Sequence, residues 1–159
     1  MRYLMKEKLW AFGDDFTIQD AEGKDVFFVD GKAFSLGKKL SFQDMQGQEL
    51  AFISQKLLSF KSTFEIYREG QLFAEVVKEL SFFKSKFTVD VPGPNDYTVK
   101  GNFMNFEYEF ERSGSPVARV SKEFFSWGDS YGIDIISNKD DITILATAVV
   151  IDMVCHSDK

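Results

Sequence analysis

The sequence is short of the residues on which most enzyme chemistry depends. It holds one histidine, His156, and one cysteine, Cys155. A single thiol excludes an internal disulfide and a multi-thiolate zinc site, and a single imidazole excludes a histidine cluster for a transition metal. Only three prolines occur, so most of the backbone is free to enter a hydrogen-bonded ladder. No apolar run reaches the ~20 residues that a membrane-spanning helix needs; the longest candidate, residues 142–155, is interrupted by Asp152. The N-terminal Met1-Arg2-Tyr3-Leu4-Met5-Lys6-Glu7-Lys8 carries charge where a secretory signal needs apolar residues. These absences predict a cytoplasmic protein. Basic charge is in deficit too: 19 Lys and Arg against 25 Asp and Glu leave a net −6, which argues against nucleic acid as a partner. No glycine-rich phosphate loop of the Walker or dinucleotide type is present, and no cofactor is expected.

What the chain has in abundance is phenylalanine, 18 of its 159 residues. The length suits one domain, taken as residues 1–159, large enough to bury its own core without a staple. Short apolar stretches bounded by glycine turns read as hairpins. Phe16-Thr17-Ile18 returns as Val26-Phe27-Phe28-Val29, and Leu40-Ser41-Phe42 as Leu50-Ala51-Phe52-Ile53. Phe64-Glu65-Ile66-Tyr67 returns as Leu72-Phe73-Ala74-Glu75-Val76-Val77, and Tyr108-Glu109-Phe110 as Val117-Ala118-Arg119-Val120. Phe106, Tyr108 and Phe110 alternate with Glu107, Glu109 and Glu111, the pattern of a strand with one buried face. Residues 91–96, with Pro92 and Pro94, read as a loop dividing two β-rich halves.

The hairpins repeat. Lys56, Lys78, Lys100 and Lys122 are 22 residues apart, and similar phrases follow three of them: Lys56-Leu57-Leu58-Ser59-Phe60, Lys78-Glu79-Leu80-Ser81-Phe82 and Lys122-Glu123-Phe124-Phe125-Ser126-Trp127. Two strands per period predict roughly a dozen strands between Phe12 and Ile136. After Asn138 the pattern stops. Residues 142–155 are apolar in every helical direction, so a buried helix is expected over about 141–155, with Asn138, Asp140 and Asp141 as capping candidates. A long central strand is the rival reading of the same valines and isoleucines. A closed barrel of about twelve strands is wider than its own side chains fill. The C-terminal helix is the one segment apolar enough to occupy it. The expected fold is therefore mainly β, a closed antiparallel barrel around a buried hydrophobic helix.

Three stretches carry a resemblance: Phe12-Gly13-Asp14-Asp15-Phe16-Thr17-Ile18, Val29-Asp30-Gly31-Lys32-Ala33-Phe34-Ser35-Leu36-Gly37 and Ala148-Val149-Val150-Ile151-Asp152-Met153-Val154-Cys155-His156. With them the whole chain resembles the LURP-one-related family in its bacterial branch. The resemblance implies a tubby-like fold, a twelve-stranded barrel around a C-terminal helix, shared with tubby C-terminal domains and phospholipid scramblases. For those relatives it implies phosphoinositide binding and calcium-linked lipid translocation respectively. Plant members are linked to pathogen defence, and no biochemical role carries over for the bacterial branch.

The residues themselves offer little catalysis. Cys155 and His156 are adjacent, so on a helix they diverge by about 100° and do not form a nucleophile pair. Asp129, Asp134, Asp140 and Asp141 gather before the helix but lack alternating calcium-ligand spacing, and read as capping and turn residues. No catalytic residue and no metal ligand is therefore assigned. Asp152, inside the apolar helix, needs a hydrogen-bond partner or costs stability. An anionic ligand has better prospects. Pairing of residues 40–44 with 49–55 brings Lys56 opposite Gly37 and Lys38, so that Lys38, Lys39 and Lys56 gather at one hairpin end. Residues 31–61 carry five lysines against two acids. The expectation is a non-catalytic binding or adaptor protein, peripheral to the membrane through anionic head groups or engaging an unknown protein. A carrier barrel for a small apolar ligand, or a scramblase-like calcium-linked function, is the alternative.

Overall fold

The computed structural model describes residues 1–7, 15–31, 37–79, 86–124, 130–136 and 140–156. Twelve strands and one α-helix account for most of them. The strands are β1 (Arg2–Glu7), β2 (Phe16–Gln19), β3 (Asp25–Gly31), β4 (Lys39–Asp44), β5 (Glu49–Gln55) and β6 (Thr63–Arg68), then β7 (Gln71–Glu79), β8 (Lys86–Asp90), β9 (Tyr97–Asn102), β10 (Glu107–Arg112), β11 (Ser115–Ser121) and β12 (Tyr131–Ile135). A 3-10 turn covers Lys122–Phe124, and α1 spans Asp141–His156. Each strand pairs antiparallel with its sequence neighbour, and β1 pairs with β12 to close the barrel. Among the described strands none is left with an unpaired edge.

The local chemistry explains the meander. Asp20 Oδ1 accepts from the backbone N–H groups of Glu22 and Lys24 at 3.0 Å each, and Asp44 Oδ1 does the same for Gln46 and Gln48 at 2.9 Å. These two side chains shape identical turns that close β2–β3 and β4–β5. The β6–β7 and β10–β11 turns place Glu69-Gly70 and Ser113-Gly114 at positive φ, the two-residue geometry that matches strand twist. Between the turns, inward residues alternate with outward ones, as in buried Tyr108 and Phe110 separated by half-buried Glu109. Gly101 faces Tyr108 across β9–β10, where a Cβ would stand 2.5 Å from the Glu107 carbonyl oxygen and 2.6 Å from Tyr108 Cα. Only glycine permits that approach.

The helix lies inside. Every residue of α1 from Thr143 to Met153 is buried, in one core with inward side chains such as Met5, Phe42, Ile66, Val99 and Ile133. A helix buried all round needs apolar residues on every face, which is what 142–155 supplies. Its 16 residues are fewer than a membrane span requires, and among the described residues no helix is long and apolar enough to cross one.

Three expectations change in detail. Strand β1 lies before Phe12, outside the stretch in which strands are expected; Tyr3, Leu4 and Met5 are buried consecutively, so no alternation marks it. Residues 91–96 do not divide the chain but connect neighbours β8 and β9 within the continuous barrel. Phe106 belongs to the β9–β10 turn at positive φ rather than to a strand, although it is buried as expected. The repeat phrases at 81–82 and 125–127, and much of the motif stretches 12–14 and 32–36, lie outside the described residues.

Candidate functional site

Antiparallel succession gives the barrel two rims of different composition. One rim collects the β2–β3, β4–β5, β6–β7, β8–β9 and β10–β11 turns and the start of α1. Its turns carry Asp20, Glu22, Asp44, Glu69, Asp90 and Asp96. Repulsion from Asp96 is the main cause that raises the Asp90 carboxyl above its ordinary pKa. The opposite rim collects residues 56–62, residues 103–106 and the end of α1. Lys56 and Lys122 directly follow odd-numbered strands that run toward this second rim, and Lys78 and Lys100 lie within two residues of the ends of such strands. The 22-residue lysine spacing is thus the length of one up-and-down unit.

The β4–β5 register brings the backbone around Lys38 and Lys39 against residues 54–55. Lys39 pairs with Ser54, and Gln55 N–H donates to the Lys38 carbonyl at 2.8 Å. Lys38 N–H donates in turn to Gln55 Oε1 at 3.0 Å. Lys56 follows directly, beside Gly37, so Lys38, Lys39 and Lys56 share one stretch of rim. Lys56 is exposed, whereas Lys38 and Lys39 are half-buried. Gly37 has φ +77°, and a Cβ there would come within 3.0 Å of Leu57 Cδ2, so the missing side chain makes room for Leu57.

The loop that follows is pinned at both ends. Lys56 N–H donates to the Thr63 carbonyl at 2.9 Å, and Lys78 N–H to the Ser62 carbonyl at 2.9 Å. Ser59 Oγ donates to the Lys61 carbonyl. Lys61 Nζ lies 2.5 Å from Glu79 Oε2, and Thr88 Oγ1 donates to Glu79 Oε1 at 2.9 Å. The Lys61 hydrogen bond is the largest cause holding the Glu79 carboxyl below its ordinary pKa. Leu57, Leu58 and Phe60 of this loop are nevertheless exposed. In the sequence they stand only as part of a repeated phrase. The usable signal is three apolar side chains between two lysines, in a segment without strand alternation.

The same rim holds the end of the helix. His156 stacks on Phe106 at 4.2 Å between centroids, and Phe106 stacks on Tyr131 at 4.5 Å. A His156 ring nitrogen lies 3.0 Å from the Phe103 carbonyl oxygen. Tyr131 Oη donates to Asp152 at 2.9 Å, so the carboxylate inside the apolar helix has a hydrogen-bond partner. Burial raises the Cys155 thiol above its ordinary pKa, which disfavours the reactive thiolate. Around the start of α1 the carboxylates of Asp134, Asp140 and Asp141 each have a partner. Asp140 accepts from Thr143 N–H at 3.3 Å as the helix cap and pairs with Arg68 at 3.0 Å. Asp141 accepts from Tyr3 Oη at 2.8 Å, and Asp134 lies 3.6 Å from Arg2. Asp129 and Asn138 are outside the described residues. Among the described residues no group of three or more His, Cys, Asp and Glu is arranged to hold a metal ion.

Comparison with known proteins sets this geometry in a family. The chain is 36% identical over 155 residues to the uncharacterized protein YxjI of Bacillus subtilis (strain 168), covering 98% of this chain and 94% of that protein. The X-ray structure of an Arabidopsis thaliana protein superposes with a TM-score of 0.71 at 19% identity, over 96% of this chain and 91% of that one. At that identity the likeness is one of fold, the tubby-like barrel around a helix. Residues 1–152 match the LURP-one-related family. Strand order, buried helix and sequence match agree, and the chain belongs to the LURP-one-related family.

Proposed function

We propose that this chain is a non-catalytic binding protein whose basic rim associates with anionic phospholipid head groups through Lys38, Lys39 and Lys56. The observation that supports this reading most is the β4–β5 register, which pairs Lys39 with Ser54 and Lys38 with Gln55, the residue before Lys56. Segregation of charge adds to it. The turns carrying Asp20, Glu22, Asp44, Glu69, Asp90 and Asp96 stand at the opposite rim, and on the lysine rim Glu79 is paired with Lys61. The carrier alternative has no observation in its favour, since α1 occupies the barrel interior.

Each basic residue near an anionic surface contributes on the order of 1 kcal/mol. Replacing Lys38, Lys39 and Lys56 together by alanine should therefore weaken association with phosphatidylserine vesicles about 100-fold at low salt. Co-sedimentation with vesicles measures this, with phosphatidylcholine vesicles as the uncharged control. Equal binding by wild type and triple variant would remove the patch, and no sedimentation of wild type would remove the lipid.

A further inference from the structure

Most of the phenylalanines and leucines of the described chain are buried or half-buried, and the loop after β5 breaks that rule. Leu58 is 106% exposed, Phe60 92% and Leu57 47%. Leu58 has φ +61°, a left-handed backbone that a leucine rarely adopts. The backbone hydrogen bonds from Lys56 and Lys78, with the Lys61–Glu79 pair, hold the loop in place. Its apolar tips are thus presented outward by a fixed frame. Met104, 63% exposed, stands on the same rim in the β9–β10 turn.

We infer that Leu57, Leu58 and Phe60 form an apolar prong that enters the acyl boundary of an anionic bilayer while Lys56 and its neighbours hold the head groups. This deepens the lipid reading above and depends on it. The chemistry of the rim favours a bilayer over a protein. A bilayer offers negative charge at its surface and hydrocarbon beneath, which matches apolar tips flanked by lysines. A second copy fits poorly, because apposing two such rims sets lysines against lysines. Three side chains are also far less than the ~1,200–2,000 Å² that a stable protein interface buries.

The experiment places an environment-sensitive fluorophore on Leu58→Cys in a Cys155→Ser background and mixes it with phosphatidylserine vesicles carrying quenchers at known depth. Insertion predicts a blue shift and quenching by acyl-chain quenchers. The double variant Leu58→Ser/Phe60→Ser should keep low-salt association but lose it at high salt, at about tenfold weaker binding per residue. Circular dichroism checks that both variants retain the barrel. A bound protein whose label is unshifted and unquenched overturns the prong and leaves the lysine patch standing. Absence of binding by wild type at any salt overturns the patch and the prong together. A label shielded without vesicles, in a dimer that the double variant abolishes, assigns the surface to a second copy and overturns the inference.

Discussion

Asp152 shows how one residue becomes intelligible only through its partners. In the sequence it is a carboxylate in the middle of an apolar helix, a placement that costs several kcal/mol without a partner. In the barrel it accepts a hydrogen bond from Tyr131 Oη, on the strand that closes onto β1. Tyr131→Phe removes that donor and leaves the buried acid less satisfied, and should lower unfolding stability by about 1–3 kcal/mol. The midpoint of urea unfolding measures it, and an unchanged midpoint would mean that Asp152 gains nothing from Tyr131. The β4–β5 register that pairs Lys39 with Ser54 was legible because a Gly47 turn dictates which residues oppose one another. Leu58 and Phe60 were not, since exposure of an apolar side chain cannot be read from its neighbours in sequence.

At the scale of elements, the strands were legible where burial is one-sided and obscure where it is not. The Tyr108–Glu109–Phe110 alternation reveals β10, whereas consecutive burial of Tyr3, Leu4 and Met5 hides β1. Helix α1 was recognisable from apolar residues on all faces, although its valines and isoleucines suit a strand equally well. Its close fit depends on small side chains: Ala146 and Ala148 are fully buried in the barrel interior. Ala148→Leu adds volume at a fully buried position and should destabilise by about 1–3 kcal/mol. Thermal or urea unfolding checks this, and a neutral result would show slack between helix and barrel. Of the 18 phenylalanines, the interior takes Phe16, Phe42, Phe64, Phe87, Phe103, Phe106 and Phe110. Phe28 and Phe52 instead occupy outward, half-buried positions.

For the whole molecule, pH stability follows from groups held by the closed barrel. Burial raises the phenols of Tyr3, Tyr97 and Tyr108, and Asp141 and Asp152 add to the effect at Tyr3 and Tyr108. A raised folded-state pKa gives stability that is present below the unfolded value of 10.0 and is lost as pH rises beyond it. The unfolding free energy from urea titrations should therefore stay level toward pH 10 and then fall by up to roughly 1.4 kcal/mol per pH unit for each such tyrosine. Tyr108→Phe should shallow that fall; an unchanged slope would show that Tyr108 does not titrate with unfolding. Glu79 acts at the other end, since its lowered pKa gives stability that is lost as pH falls below the ordinary 4.5. The sequence by itself determined the strand-and-turn rhythm, the apolar helix and the lysine spacing, because periodicity and turn chemistry are local. Barrel closure decided the rest. Pairing β1 with β12, setting Tyr131 against Asp152 and bringing residues 56–62, residues 103–106 and the end of α1 to one rim all depend on segments far apart in the chain, whose relative positions no local pattern encodes.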